Sequence, residues 1–276
     1  MKSLRIGFLG GGNMARALIG GLIARGTAPS QISVGEPFAT AREQLLRDLK
    51  VQASADNRSA IEGCALIILA VKPQEAGNVL RPLASQLQSA RPVLLSVAAG
   101  IRIAALSAWA GAGVPIIRAM PNRPALIGAG ITGIYAAAWV SAAQRSLAEQ
   151  TLQAVGQSVW VQHEADLDGV TALSGSGPAY FFLLAELMMQ AAIEQGLAPE
   201  AARRLAVATL HGAGALAGAS DGDLARLRQE VTSRGGTTEA ALDAFAAADL
   251  AGIVGRALEA ATRRSRELAD QFGTAE

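Results

Sequence analysis

Short apolar runs alternate with stretches of helical spacing from residue 4 to about residue 161. The run at 65–71 is continuously apolar, which is typical of a strand buried on both faces. Between the first two runs, Met14, Leu18 and Leu22 recur every four residues and predict a helix at 13–25. This alternation predicts a mostly parallel sheet covered by helices. The predicted strands are 4–9, 32–34, 65–71, 93–97, 115–118, 130–135 and 158–161.

The pattern changes near residue 162, after which alanine dominates and the apolar spacing is helical throughout. We therefore expect an α/β domain at 1–162, followed by an all-α domain at 163–276. The predicted helices are 167–197 (interrupted by a loop of small residues), 199–218, 221–231, 238–247 and 250–272.

One predicted helix, at 179–193, is apolar on nearly every side, and such a helix is buried all round. It is either the central helix of its own domain or is buried against a second copy of the chain. Burial against a second copy is favoured, because a helical domain of about 110 residues is too small to surround this helix alone. The expected assembly is thus a homodimer.

Composition narrows the classes of function. The net charge is +1 and aromatic residues make up 4% of the chain, so neither nucleic acid nor a membrane surface is an expected partner. The only cysteine, Cys64, excludes an internal disulfide and favours a cytoplasmic location. The two histidines cannot by themselves form a zinc site, so no metal is expected.

Residues 10–15 fit the pattern G-x-G-x-x-A directly after a predicted strand and at the start of a predicted helix. In this context Gly10 permits the tight turn, Gly12 lets a pyrophosphate approach the backbone, and Ala15 lets the helix pack closely on the strand. Asn13 and Met14 open the helix, whose N-terminus attracts phosphate. The pattern predicts a dinucleotide cofactor on a Rossmann-type, doubly wound sheet.

Glu36 follows the second predicted strand, where an acidic residue binds ribose hydroxyls and disfavours a 2′-phosphate. A solvated turn carboxylate is the alternative interpretation of Glu36. Asn57 is a second candidate for the ribose, and Arg42 lies close enough in sequence to attract a phosphate. The cofactor is therefore given as NADPH or NADH.

Two further segments follow predicted buried strands. Ligands of doubly wound sheets lie beyond the carboxyl ends of the strands, so both segments should border the cofactor. Their residues are Ala70, Val71, Lys72, Pro73, Ala98, Ala99 and Gly100.

Two segments of small residues in the second half are candidates for binding a carboxylate through backbone N–H groups. The first is a Ser-Gly-Ser-Gly loop at 174–177, and the second is a Gly-Gly-Thr-Thr turn at 235–238. Taken singly, the first is equally consistent with a helix break and the second with a turn and N-cap. Together with the dinucleotide pattern they indicate a reductase for a small anionic substrate.

The chain resembles the pyrroline-5-carboxylate reductase family. The resemblance rests on Gly-Gly-Gly-Asn-Met-Ala at 10–15, Ala-Val-Lys-Pro at 70–73 and Arg-Ala-Met-Pro-Asn at 118–122. It rests further on Leu-Ser-Gly-Ser-Gly-Pro-Ala-Tyr at 173–180, Gly-Gly-Thr-Thr at 235–238 and Arg-Arg-Ser-Arg-Glu-Leu at 263–268. It implies a Rossmann domain followed by a helical dimerisation domain, and NAD(P)H-dependent reduction of a cyclic imine to L-proline, the last step of proline biosynthesis.

The resemblance also implies roles for individual residues. It places the Thr238 hydroxyl, the expected catalytic group, near the ring nitrogen of the substrate, and places Glu164 at the border of the substrate. It implies an active site completed by a partner subunit, with larger rings of dimers in some members. The expected substrate-binding residues are Glu164, Ser174, Gly175, Ser176, Gly177, Gly235, Gly236, Thr237 and Thr238.

Two arginines depart from the family pattern: Arg123, where threonine is usual, and Arg234, where proline is usual. Both leave open the reduction of another cyclic imino acid, although Arg234 is equally consistent with a solvent-facing side chain. A dinucleotide-binding regulatory protein without turnover is the non-enzymatic alternative. A β-hydroxyacid dehydrogenase is disfavoured, because no lysine is suitably placed on a helix after a glycine pair.

Overall fold

The computed structural model describes residues 4–273 and divides the chain into two compact units. The sheet unit comprises the residues up to Gly175 together with those from Ala261 onward, and the helical unit is Ser176–Ala260. The expected Rossmann-type sheet followed by helices is confirmed. The domain boundary expected after residue 162 stays a prediction.

The sheet unit contains eight strands in the order β3-β2-β1-β4-β5-β6-β7-β8. Neighbouring strands are parallel except for β6 and β7, which are antiparallel. The strands are β1 Ile6–Leu9, β2 Ile32–Gly35, β3 Gln52–Ser54, β4 Leu66–Leu69, β5 Val93–Ser96, β6 Ile116–Met120, β7 Gly130–Ala136 and β8 Gly156–Trp160. Strands β1, β2, β4 and β5 are fully buried, and for β4 the continuous apolar run at 65–71 predicts this burial.

Two features of the sheet differ from a simple parallel order. Strand β7 reverses because residues 121–129 are too short a connection for the crossover that a parallel neighbour requires. Strand β3 was not predicted, because Gln52, Ala53 and Ser54 form no apolar run at this edge of the sheet.

Seven helices separate the strands of the sheet unit. They are α1 Asn13–Ala24, α2 Ala39–Leu49, α3 Asn57–Ala60, α4 Ala76–Leu80, α5 Ala84–Ala90, α6 Ile103–Ala110 and α7 Ala142–Leu152. Short 3₁₀ turns occur at Pro29–Gln31, Pro73–Glu75, Arg81–Leu83, Arg123–Ile127 and Gln153–Val155. Of the predicted stripe on α1, Leu18 and Leu22 are buried and Met14 is partly buried against the core.

After β8 the structure is helical. The segments are α8 Asp166–Val170, a π-helical turn at Thr171–Gly175, α9 Gly177–Glu194, α10 Pro199–Ala219, α11 Leu224–Glu230, α12 Thr237–Ala247 and α13 Leu250–Gly273. The prediction of an interrupting loop at 174–177 was wrong at Ser174 and Gly175, because the helix continues through these two residues with a wider turn.

Helix α9 exposes large apolar side chains within a single chain. Phe181 and Phe182 are 62% and 60% exposed, and Leu187 is 52% exposed. Gly177 is the buried residue of this helix. The interpretation of α9 as the central helix of its own domain was therefore wrong.

The end of α13 belongs to the sheet unit, where it makes specific contacts. The Ser265 hydroxyl donates to Asp168 Oδ1 at 2.6 Å, and Arg102 forms an ion pair with Asp270 at 2.8 Å. These contacts join α13 to α8 and to the residue that precedes α6. Among residues 4–273, no helix combines the length and the apolar character that a membrane crossing requires.

Candidate active site

The glycine-rich turn connects β1 directly to α1. Gly10 has a φ of +95°, and a Cβ added there would lie 2.8 Å from Val71 Cγ1 and 2.9 Å from the Ala70 carbonyl oxygen. Gly12 is the N-cap of α1, with no side-chain hydrogen bond, and a Cβ added there would meet no atom within 4 Å. The space beside Gly12 and the unpaired first turn of α1 suit the phosphates of a dinucleotide.

The other predicted cofactor segments meet this turn at the carboxyl edge of the sheet. The Gly10 N–H donates to Gly35 O at 2.8 Å, and the Ala70 N–H donates to Leu9 O at 2.8 Å. The Val97 N–H donates to Leu69 O at 3.0 Å, which brings the segment at 98–100 to the same edge. The residues predicted at 10–15, 70–73 and 98–100 therefore line one border, as the topology requires.

Glu36 is held against the glycine-rich turn. Its Oε2 accepts the Gly11 N–H at 3.0 Å, its Oε1 accepts the Phe38 N–H at 3.1 Å, and the residue is only 7% exposed. Glu36 is thus not a solvated turn carboxylate. It places a negative charge beside the backbone that would meet the ribose.

The neighbourhood of Glu36 also contains a cation. Arg42 Nη1 donates to Glu36 O at 2.9 Å and to Pro37 O at 2.7 Å, so this guanidinium is bound to the loop after β2. Asn57 lines a surface pocket of about 280 Å³ together with Asn78. Of the two predicted ribose residues, Glu36 directly follows β2. Asn57 begins α3, the helix that follows the neighbouring parallel strand β3.

Glu164, expected to border the substrate, joins two elements of the sheet unit. Its Oε1 accepts the backbone N–H of Ile103, the first residue of α6, at 2.6 Å. The same oxygen accepts Arg118 Nη1 of β6 at 2.8 Å, and the Arg118 side chain is only 9% exposed. We did not predict a role for Arg118, although a charged residue at the end of an apolar strand was a usable signal.

A second unpredicted contact involves the segment before α9. Asn122 Nδ2 donates to Ser174 O at 3.2 Å, and Asn122 Oδ1 accepts the Ile131 N–H at 3.0 Å. Ser174 and Gly175 of the predicted substrate set are therefore attached to the end of β6. Ser176 and Gly177 continue the chain into α9.

The Gly-Gly-Thr-Thr turn lies in the helical unit and begins α12. Its amides are partly occupied within the turn, because Gly235 N–H donates to Glu239 Oε2 at 2.6 Å and Gly236 N–H donates to Ser233 O at 3.0 Å. The Gly236 N–H is therefore occupied within the turn, and the substrate-binding role of Gly236 stays a prediction. Thr237 and Thr238 form the first turn of α12, where backbone N–H groups lack helical acceptors.

Both departing arginines are exposed at the surface of their units. Arg234 precedes the turn, and Arg123 begins the 3₁₀ turn after β6. The structure gives no contact that explains either substitution.

Comparison with known proteins bears on this arrangement. Residues 164–268 match the family profile described as pyrroline-5-carboxylate reductase dimerisation, and residues 5–100 match the one described as NADP oxidoreductase, coenzyme F420-dependent. The pyrroline-5-carboxylate reductase of Pseudomonas aeruginosa is 45% identical over 273 residues, which cover 99% of this chain and all of that protein. The chain belongs to the pyrroline-5-carboxylate reductase family.

Solved structures agree with the assignment to pyrroline-5-carboxylate reductases. The chain resembles the enzyme of Coxiella burnetii with a TM-score of 0.94 and 37% identity, covering 97% of this chain and 99% of the other. It resembles the enzyme of Plasmodium falciparum, solved with NADP bound, with a TM-score of 0.83 and 27% identity over 98% and 99% of the two chains. The predicted family, reductase class and NAD(P)H cofactor are confirmed.

Proposed function

We propose that this chain reduces the cyclic imine 1-pyrroline-5-carboxylate to L-proline with NAD(P)H, as the last step of proline biosynthesis. The observation that carries the proposal is the full-length match, which spans both the dinucleotide turn and the Gly-Gly-Thr-Thr turn. Reduction of another cyclic imino acid rests only on Arg123 and Arg234, which make no explanatory contact. A non-catalytic regulator is disfavoured, because both predicted substrate segments are present.

The residues around the glycine-rich turn fit a bound dinucleotide. The N-terminus of α1 offers N–H groups to the pyrophosphate, and the open space beside Gly12 admits it. Glu36 and Asn57 are proposed to bind the ribose, and the segments at 70–73 and 98–100 to border the remainder. NAD(P)H supplies the hydride when it is bound.

The reaction requires the protein mainly to bind the imine and the cofactor and to orient them toward each other. The new C–H bond forms at the imine carbon, and the C=N π electrons move to a ring nitrogen that already carries a proton. A protonated imine is electrophilic, so correct positioning supplies much of the rate. The candidate groups for the substrate carboxylate are the backbone N–H groups at 174–177 and, separately, those at 237–238. The Thr238 hydroxyl is the proposed partner of the ring nitrogen.

A homodimer is part of the proposal. Helix α9 exposes several large apolar residues, and an exposed apolar patch of this kind marks an interaction surface. The helical unit also contains a groove of about 720 Å³, whose lining includes Leu242, Phe245 and Val254. A second copy of the chain is the proposed occupant, in agreement with the dimerisation profile matched at 164–268.

We also propose a cytoplasmic location, because the single cysteine, Cys64, is a free buried thiol. The proposed domains are the dinucleotide-binding domain at 1–162 and the helical domain at 163–276.

The function is tested by following the loss of NAD(P)H absorbance with purified protein and 1-pyrroline-5-carboxylate, using NADH and NADPH separately. We expect rapid oxidation with proline as the product. The Thr238→Ala variant should lose turnover by about 100-fold with little change in cofactor affinity. A folded protein that binds cofactor but does not turn over the imine would refute the proposal.

The dimer is tested by light scattering with size-exclusion chromatography, which also reports any larger ring. Leu187→Glu should shift the protein to monomer or abolish its solubility, because it introduces a charge into the α9 surface. Leu46→Glu is the matched control, since Leu46 is a similarly exposed leucine (58%) on α2 of the sheet unit. A wild-type monomer, or a dimer that Leu187→Glu leaves intact, would contradict the proposed surface.

A further inference from the structure

The side chain of Asn122 bridges two separate segments of the sheet unit. Its Oδ1 accepts the N–H of Ile131 in β7 at 3.0 Å, and its Nδ2 donates to the carbonyl oxygen of Ser174 in the π-helical turn at 3.2 Å. Asn122 is only 8% exposed. An amide carries a donor and an acceptor on one rigid group, so the two bonds orient each other.

The Ser174 carbonyl needs this donor because of the sequence that follows it. In a regular helix, this oxygen would accept the N–H of residue 178, but residue 178 is proline and has no N–H. A backbone carbonyl in a partly buried position is normally paired. The Asn122 amide supplies the hydrogen bond that Pro178 cannot.

The next residue, Gly175, lies against the Met120 side chain at the end of β6. A Cβ added to Gly175 would lie 2.7 Å from Met120 Cε. The Ser174 hydroxyl donates to Val170 O at 2.9 Å, so its side chain is directed back along the turn. Ser174 is therefore held through both its carbonyl oxygen and its hydroxyl group by contacts that do not involve a ligand.

We propose that Asn122 is a positioning residue for the substrate, acting through the Ser174 carbonyl. It sets the orientation of the peptide groups at 174–177, which are assigned to the substrate carboxylate, without touching the substrate. The inference rests on the proposed function of that segment and adds a residue that determines its geometry.

The test is Asn122→Asp, which preserves shape and the oxygen that accepts the Ile131 N–H. The introduced carboxylate replaces the donor to Ser174 with an acceptor, so two oxygens face each other. We expect the KM for the imine to rise about 10-fold, since a buried acceptor loses its partner. The KM for NAD(P)H should stay within about 2-fold, because the glycine-rich turn does not depend on this bond.

A pH series separates positioning from general damage. Protonation of the introduced carboxyl group restores an O–H donor to the Ser174 carbonyl. The ratio of imine KM values, variant over wild type, should therefore fall toward one as the pH is lowered. A ratio that does not change with pH, or an equal rise in both KM values, would overturn the proposal.

The matched control is Gln144→Glu on α7, which makes the same amide-to-carboxylate exchange. Gln144 Oε1 accepts the Ser141 N–H at 2.9 Å, and the exchange preserves that acceptor. Its imine KM should equal that of the wild type. If Asn122→Asp does not fold, Asn122→Ser replaces it, with the same KM comparison and no buried charge.

The two proposals fail in different ways. A wild-type protein that does not reduce the imine refutes the proposed function. An active wild type whose imine KM is unaffected by either substitution at Asn122 refutes only the role of Asn122.

Discussion

The Glu164 side chain joins α6 and β6 of the sheet unit, and its removal should destabilise that unit. One oxygen, Oε1, accepts both the Ile103 N–H and Arg118 Nη1. Breaking a buried ion pair by removing one partner costs about 3–5 kcal/mol. Because the Glu164 side chain is 29% exposed, we expect the lower end, about 3 kcal/mol, for Glu164→Ala.

Glu164→Gln separates the charge from the hydrogen bonds. Glutamine retains one carbonyl oxygen that can accept both donors, so only the charge is lost. We expect Glu164→Gln to lower the free energy of unfolding by about 1 kcal/mol, well below the effect of Glu164→Ala. In a double-mutant cycle with Arg118→Met, the coupling energy should account for most of the cost of Glu164→Ala.

The assay is urea denaturation followed by tryptophan fluorescence. Trp109, Trp139 and Trp160 are the three tryptophans of the chain and all lie in the sheet unit, so the signal reports its unfolding. Asp48→Ala is the control, because Asp48 pairs with Arg16 at the surface and its loss should be barely measurable. Two results would refute the reasoning. One is an equal loss of unfolding free energy in Glu164→Gln and Glu164→Ala, and the other is a loss in Glu164→Ala no larger than that of Asp48→Ala.

Three further predictions concern the cofactor site and the thiol. Glu36→Gln should raise the NADPH-to-NADH ratio of kcat/KM by about 10-fold, because the charge beside the ribose is lost; an unaltered ratio, measured by absorbance, would remove Glu36 from cofactor selection. Gly12→Val should abolish cofactor binding in fluorescence titrations with an unchanged urea midpoint, since its side chain points into open space; a shifted midpoint would show a structural role. Burial raises the pKa of the Cys64 thiol, so iodoacetamide should label it slowly in the native protein and rapidly in urea; equal rates would contradict its burial.

Strand β4 was predictable because its burial on both faces favours a continuous apolar run, which residues 65–71 provide. The β3 segment Gln52-Ala53-Ser54 has no such run, and its position at the edge of the sheet follows from pairing with β2. The π-helical turn was missed because Ser174, Gly175 and Ser176 are typical helix breakers. There, Thr171 and Ser174 donate their hydroxyl groups to carbonyls four residues earlier, which is compatible with a continued helix.

The candidate site was predictable where function requires a local pattern. The glycine-rich turn and Gly-Gly-Thr-Thr each occupy a few consecutive residues. Arg118 and Asn122 act on partners 46 and 52 residues away, and no local spacing encodes such contacts. The occupied N–H groups of Gly235 and Gly236 were likewise missed, because they depend on how the turn folds on Glu239 and Ser233.

The uncapped first turn of α1 has a practical consequence for the choice of buffer. Its N–H groups have no side-chain acceptor, so any small oxyanion in solution competes for the position that suits the pyrophosphate. Inorganic phosphate or sulfate at assay concentrations should therefore raise the apparent KM for NAD(P)H and leave kcat unchanged. Cofactor preferences of this protein and its relatives are comparable only when they are measured in buffers without such anions and at equal ionic strength.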